Sequence, residues 1–248
     1  MITKILFRKK DHELFLMFWK RFEKRISRLK NVVIENTDDE IILTFEDLQV
    51  SNKITTKLIK FWLADAIVVY YKEKYFKSNL ITPSINDLPL SLMIRALSVF
   101  DKATDVEYVL DKLEGIRNIN VYSFFVFRLS ELRFRWQDIC ELFLKNIHNI
   151  VDSDVFIELM RYLLLVTEAD IKEVNLYLNG KMLFIKDRGN KDLTDPILLE
   201  NDTGCIRAVF ELITLAPRNI KVKFNKQSQP ILVGFIDNLF ASKVSYCT

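Results

Sequence analysis

The chain has little of what recognisable sites are usually built from. Its 248 residues include three cysteines and two histidines. Cys140, Cys205 and Cys247 lie far apart and form no Cys-x-x-Cys pair, which argues against a disulfide framework. His12 and His148 sit in no spacing that favours a metal, so neither a metal nor a cofactor is expected. Five glycines and five prolines are too few for long flexible linkers or low-complexity tracts. A glycine-rich phosphate loop, a nucleophile elbow, a His-Glu-x-x-His helix and a kinase signature are all missing. Together these absences argue against an ordinary enzyme. Apolar runs such as 66–71 and 163–166 fall far short of the ~18 residues that span a bilayer. The opening residues put their charges after their apolar side chains, the reverse of a secretory signal, and a cytoplasmic protein is the expectation.

What is present is a chain that is half apolar, 28% charged and 12% aromatic, enough to bury one large core or two modest ones. Residues 3–8 read as a strand. Leu14, Phe15, Phe18, Trp19, Phe22, Ile26 and Leu29 recur at helical spacing after Asp11, which is placed to cap that helix. Residues 32–35 and 41–45 flank a polar loop and read as a hairpin. Beyond Ser51 helical spacing alone is visible for more than a hundred residues, with Lys57, Lys60, Lys72, Lys74 and Lys77 spread around the polar positions of the first long helix and Pro83 and Pro89 interrupting the chain. Phe125, Leu129, Leu132, Trp136, Ile139, Phe143 and Ile147 recur at steps of four and three, which predicts one long helix over 122–148. The next helix, capped by Asp152, Ser153 or Asp154, carries Val155, Leu159, Tyr162, Leu163 and Val166 on one side. Asn179-Gly180 between alternating segments then predicts a tight hairpin.

The expected fold is therefore α+β: a central, mostly α-helical bundle with an N-terminal β-α-β-β element and a C-terminal β-β-α-β-α-β unit. The corresponding divisions are residues 1–50, 51–168 and 169–248, and the two ends are candidates for one shared sheet layer.

Charge is uneven. Lys and Arg outnumber Asp and Glu by 16 to 11 over residues 1–80, whereas the balance is 8 to 9 over 81–150 and 12 to 13 over 151–248. Lys20, Arg21, Lys24, Arg25 and Arg28 are the candidate phosphate-binding residues of a nucleic-acid surface; a solvated helix face or contact with an anionic membrane accounts for the same charges. Asp65 interrupts an apolar stretch, where desolvation would suit it to general-base work or an ion pair would hold it. His148 lies near a helix end, and Cys205 near a helix start with Asp202 and Thr203 as caps, a setting that lowers a thiol pKa unless the residue is simply buried.

Residues 124–132, Phe-Phe-Val-Phe-Arg-Leu-Ser-Glu-Leu, resemble the Phe-x-x-Phe-Arg-Leu helix start of the YtxC-like sporulation proteins. Residues 154–163, 171–178, 213–220 and 244–247 resemble later segments of that family in the same order, while 167–170 depart from its usual turn. The resemblance implies a cytoplasmic protein of endospore-forming bacteria, acting in sporulation with no assigned chemistry, and it carries over no site residue. A non-enzymatic interaction or assembly factor, with a protein partner or a second copy of itself, is the first expectation; a sequence-tolerant nucleic-acid binder using the basic N-terminal helix is the alternative. The 122–148 helix and the edge of the C-terminal sheet are the expected contact elements.

Overall fold

The computed structural model describes residues 4–26, 32–45, 53–80, 87–150, 153–169 and 171–247, without the side chains of 24–26, 53–55, 87, 146–150 and 153. In chain order the elements are β1 (Lys4–Arg8), α1 (His12–Ile26), β2 (Val32–Asn36), β3 (Glu40–Phe45), α2 (Lys53–Asn79), α3 (Asp87–Val99) and α4 (Lys102–Lys112). They continue with β4 (Asn118–Asn120), α5 (Val121–Arg128), α6 (Ser130–Ile150), α7 (Ser153–Val166), β5 (Ile171–Asn179), β6 (Met182–Asp187) and β7 (Ile197–Leu198). The last are α8 (Asp202–Leu215), β8 (Pro217–Val222), α9 (Pro230–Phe240) and β9 (Val244–Tyr246). The expected α+β class and the N-terminal β-α-β-β order hold, while the C-terminal end carries one strand more than expected, the two-residue β7, in a stretch read as polar loop. Packing groups the residues into two units that interleave along the chain, one of Met1–Asn79 with Lys102–Leu142 and one of Leu80–Asp101 with Phe143–Thr248.

In the first unit the strands pair in the order β2-β3-β1-β4. Alternation along β1 sends Ile5 and Phe7 to one face, opposite Leu43 and Ile41 of antiparallel β3. That face meets α1: the Phe7 ring lies 5.6 Å from Phe15 and 5.7 Å from Phe18, and Phe22 packs edge-on against Phe45 and against Trp62 of α2. Each such ring contributes about 1.5–3 kcal/mol by burial. The polar loop between β2 and β3 closes on Thr37, whose Oγ1 accepts from the Glu40 amide at 3.1 Å.

Two expectations fail here. A strand, β4, lies within the stretch read as all helix, pairing parallel with β1 so that Ile5 faces Ile119. With three residues and one apolar side chain it has too short a pattern to register. The predicted 122–148 helix is in fact two, because Leu129 leaves helical geometry at φ −113°, ψ 30°. Asn120 caps α5 through the Ser123 amide at 3.0 Å, and Arg133 Nη2 donates at 2.7 Å to the Val126 carbonyl near the break. The heptad side chains survive the break: Leu129, Leu132 and Trp136 are fully buried and Phe125 nearly so.

In the second unit a separate sheet runs β7-β6-β5-β8-β9, so the two ends of the chain build two sheets and not one layer. β5 to β8 and β8 to β9 are parallel, with α8 and α9 as the connections. Val174, Leu176, Leu183, Ile185, Ile220 and Val222 make its buried face. The β5–β6 hairpin pairs Asn179 with Met182, so its two loop residues are Gly180 and Lys181, one place later than expected. Only Gly180 has positive φ, at 59°, the type II′ pattern. Asn201, not Asp202 or Thr203, caps α8, accepting from the Gly204 amide at 3.1 Å. Pro89 falls in the first turn of α3, where a missing N–H is tolerated; Pro83 and Asp152 lie outside the described residues.

The apolar side read for α7 is buried only in part, at Leu163 and, less completely, Leu159. Met160, Leu163 and Leu164 are buried, whereas Val155, Tyr162 and Val166 are exposed. Nearly every turn of α7 is apolar, so periodicity could not choose a side.

Gly204 has no room for a side chain: a Cβ there would stand 2.1 Å from the Leu198 carbonyl oxygen, a backbone atom. Gly204→Ala is expected to cost about 3 kcal/mol, read as a lower urea midpoint; an unchanged midpoint would contradict this packing of α8 against β7.

Candidate functional site

The strongest concentration of buried charge is in the first unit, around three aspartates. Asp105 of α4 accepts from Lys72 Nζ of α2 at 2.7 Å and from Trp136 Nε1 of α6 at 3.0 Å, with Arg135 Nη1 3.8 Å from its other oxygen. Lys72, counted by its spacing among the surface lysines, is fully buried. Its four methylenes lie among core side chains while its ammonium finds an anion, which is how a lysine is tolerated inside. Asp65 pairs with Arg21 of α1 and with Lys102 of α4, whose Nζ is 3.5 Å away. It is thus a buried carboxylate between two cations.

Asp11, the residue placed to cap α1, ends a short 3-10 turn before that helix and points its carboxylate at side chains. Arg8 Nε and Nη2 donate to Oδ2 at 2.8 and 2.5 Å; the Tyr70 hydroxyl and Lys74 Nζ donate to Oδ1 at 2.9 and 3.2 Å. The Tyr71 hydroxyl adds a longer contact at 3.4 Å. Burial alone would raise the Asp11 pKa, but the hydrogen bonds from Arg8, Tyr70 and Lys74 outweigh it and hold the carboxyl below its ordinary range. Burial and the Asp11 charge push both tyrosines the opposite way. An acid and a base whose pKa values both move away from neutrality make a poor proton-transfer pair. The arrangement is a lock joining the β1–α1 junction to α2.

Tyr70 and Lys74 also form the floor of an open cleft of about 430 Å³, rimmed by Lys10, His12, Glu13, Glu73 and Lys77. Lys77 pairs with Glu73 at 2.6 Å, and charges of both signs line the cleft.

Of the five candidate N-terminal basic residues, only Lys20 and Arg21 have described side chains. Arg21 is engaged by Asp65, Lys20 is exposed, the side chains of Lys24 and Arg25 are outside the description, and Arg28 lies outside the described residues. His148 falls on α6 with its side chain likewise outside. Cys205 lies within α8 and is buried, and burial, with Asp202 beside it, raises its thiol pKa, the reverse of the activation its sequence position suggested. Burial pushes Cys140 up to about 11. Among the described residues no group of His, Cys, Asp and Glu is arranged to hold a metal, and no helix is long and apolar enough to cross a membrane.

The second unit offers a different kind of site. Arg161 of α7 donates to the Asn238 carbonyl at 2.6 Å and Lys243 to the Leu164 carbonyl at 2.5 Å, fixing α7 beside the end of α9. Between them runs a groove of about 380 Å³ lined by Tyr162, Leu164, Leu165, Leu239 and Phe240. On its outer side Tyr162 and Leu165 are 61% and 63% exposed, with Val155 and Val166 on neighbouring turns. No residue type flagged this stripe in the sequence, since its members looked like core. Of the expected contact elements, the C-terminal sheet ends in β7 and β9, of two and three residues, and the long helix is divided, with Phe127 of α5 and Phe134 and Leu142 of α6 exposed. Comparison with protein-family models, curated proteins and solved structures returns no match to this chain.

Two outcomes test the reading of the buried charges. Lys72→Met should destabilise by about 3–5 kcal/mol by leaving Asp105 charged and half-paired, and Lys72→Met with Asp105→Leu should be more stable than Lys72→Met alone; purely additive losses in urea unfolding would contradict it. Because the folded Asp11 pKa is depressed, its stabilisation is present above the unfolded value of about 3.9 and is lost as pH falls through the lower folded value. Asp11→Asn should therefore be less stable than the parent at pH 7, with the difference shrinking below about pH 4; a constant difference down to acid pH would refute the lock.

Proposed function

We propose that the protein is a non-enzymatic assembly factor that associates with a second copy of itself through the outer face of α7. The exposed apolar stripe of Val155, Tyr162, Leu165 and Val166 beside its groove is the observation that carries this reading. Exposed apolar side chains on a helix that already has a buried face mark a contact surface. The patch is edged by both signs of charge, Glu158 and Arg161 paired at 2.6 Å, with Lys243 at the other wall. A surface carrying an apolar centre and both charges suits an isologous two-fold contact, in which the same residues serve both partners. A catalytic alternative finds less support, because each buried carboxylate lies against cations and burial raises the pKa of both buried thiols.

The cellular setting of this assembly is sporulation in an endospore-forming bacterium, a role supported by the likeness of residues 120–248 to the YtxC-like proteins. Sedimentation velocity tests the molecular part: the parent chain should shift from monomer to dimer with rising concentration, and Tyr162→Asp with Leu165→Asp should stay monomeric with an unchanged melting temperature. A parent chain that is monomeric throughout would contradict it.

A further inference from the structure

The second sheet has two faces of opposite chemistry. Its inner face is aliphatic and buried. On the outer face Glu173, Asn175 and Tyr177 alternate along β5, Phe184 and Lys186 along β6, and Asn219 and Lys221 along β8. Pairing sets Tyr177 directly opposite Phe184, and Asn175 between Lys186 and Lys221. Both rings are half-buried, and each has an ammonium at hand: Lys223 Nζ lies 5.0 Å from the Tyr177 centroid and donates to its hydroxyl at 3.0 Å, and Lys186 Nζ lies 5.7 Å from the Phe184 centroid. Asn175 is 3% exposed; its amide nitrogen donates to the Asp187 carbonyl at 3.2 Å, while its Oδ1 has no hydrogen-bond partner.

From this face we infer a binding site for single-stranded nucleic acid, with bases stacked on Tyr177 and Phe184 and phosphates held by Lys186, Lys221 and Lys223. Directly opposed residues on antiparallel strands stand about 5 Å apart at Cβ, so the two rings are neighbours on a polar sheet face, each offering its own surface to a base. Every base has a π-face, so such a pair is indifferent to sequence, and the lysines beside it supply the sequence-independent attraction to the backbone. Two carboxylates oppose this: Glu173 holds Lys221 at 2.8 Å and Asp192 holds Lys186 at 3.5 Å. Binding exchanges those pairs for phosphates. The unpaired Asn175 oxygen lies between the two lysines that would move, and gains access to a donor when they do. A duplex keeps its bases stacked on one another and has no face to offer the rings, which selects single strands. The site is separate from α7 and owes nothing to the basic N-terminal helix.

The test uses the full chain and a fluorescein-labelled oligothymidylate of about 20 nucleotides, followed by anisotropy. Binding should weaken with salt between about 50 and about 200 mM, with a log–log slope near −2 for three phosphates. Tyr177→Leu and Phe184→Leu, which keep apolar bulk and remove the π-face, should each weaken binding about tenfold. Lys186→Glu with Lys221→Glu should abolish it, while Lys20→Glu and the Tyr162→Asp, Leu165→Asp pair leave it unchanged. Circular dichroism checks that each variant is folded. Absence of binding by the parent chain at low salt would overturn the inference, as would binding that ignores Tyr177 and Phe184 or that is lost with Lys20→Glu.

Discussion

The buried pair of Lys72 and Asp105 is the constraint on which the first unit depends. An ammonium and a carboxylate held 2.7 Å apart and away from water leave α2 and α4 little choice of register. Trp136 extends the constraint to α6 by donating to the same carboxylate oxygen. Its indole also stacks on Phe125, and Phe125 on Tyr71 at 3.9 Å, so the polar contact and the aromatic core are tied through the same side chains. The pairing of an ammonium with one carboxylate is a directional constraint that apolar packing does not supply.

The same logic recurs on α2. Asp65 meets cations from α1 and α4, and Tyr70, Tyr71 and Lys74 reach the Asp11 carboxylate ahead of α1. Three buried carboxylates, each with at least two cations beside it, tie the helices of the first unit together. The faces proposed above for binding are the apolar side of α7 and the aromatic-and-lysine side of the second sheet.

Much of this architecture was legible in the chain. The β1–α1–β2–β3 order, the aromatic stripe of α1 and, apart from the two-residue β7, the strand and helix order after Ile171 follow from local spacing, because those patterns are long and their turns polar. What could not be read depends on partners distant in sequence. Lys72 looks like any solvent-facing lysine until Asp105, 33 residues later, is brought against it. Leu129 continues a perfect heptad in sequence, yet the backbone turns there while its side chain stays buried. α7 is apolar on so many sides that only tertiary packing decides which one meets solvent. The outer sheet face is visible only once the register sets Tyr177 against Phe184, since each alone reads as an ordinary strand residue. Cys205 and Arg21 looked reactive or free by position and are, respectively, buried and ion-paired.

The claim that the buried charges hold the fold and perform no proton transfer is tested most directly on Asp11, whose carboxylate touches the cleft through Tyr70 and Lys74. Carbon-13 NMR of the side-chain carboxyl, assigned by comparison with Asp11→Asn, should show a resonance that is flat from about pH 8 to about pH 5 and moves only below the ordinary carboxylate range. A resonance that titrates between those two values would mean a carboxyl poised for proton transfer beside the cleft, and the account given for this protein would be wrong.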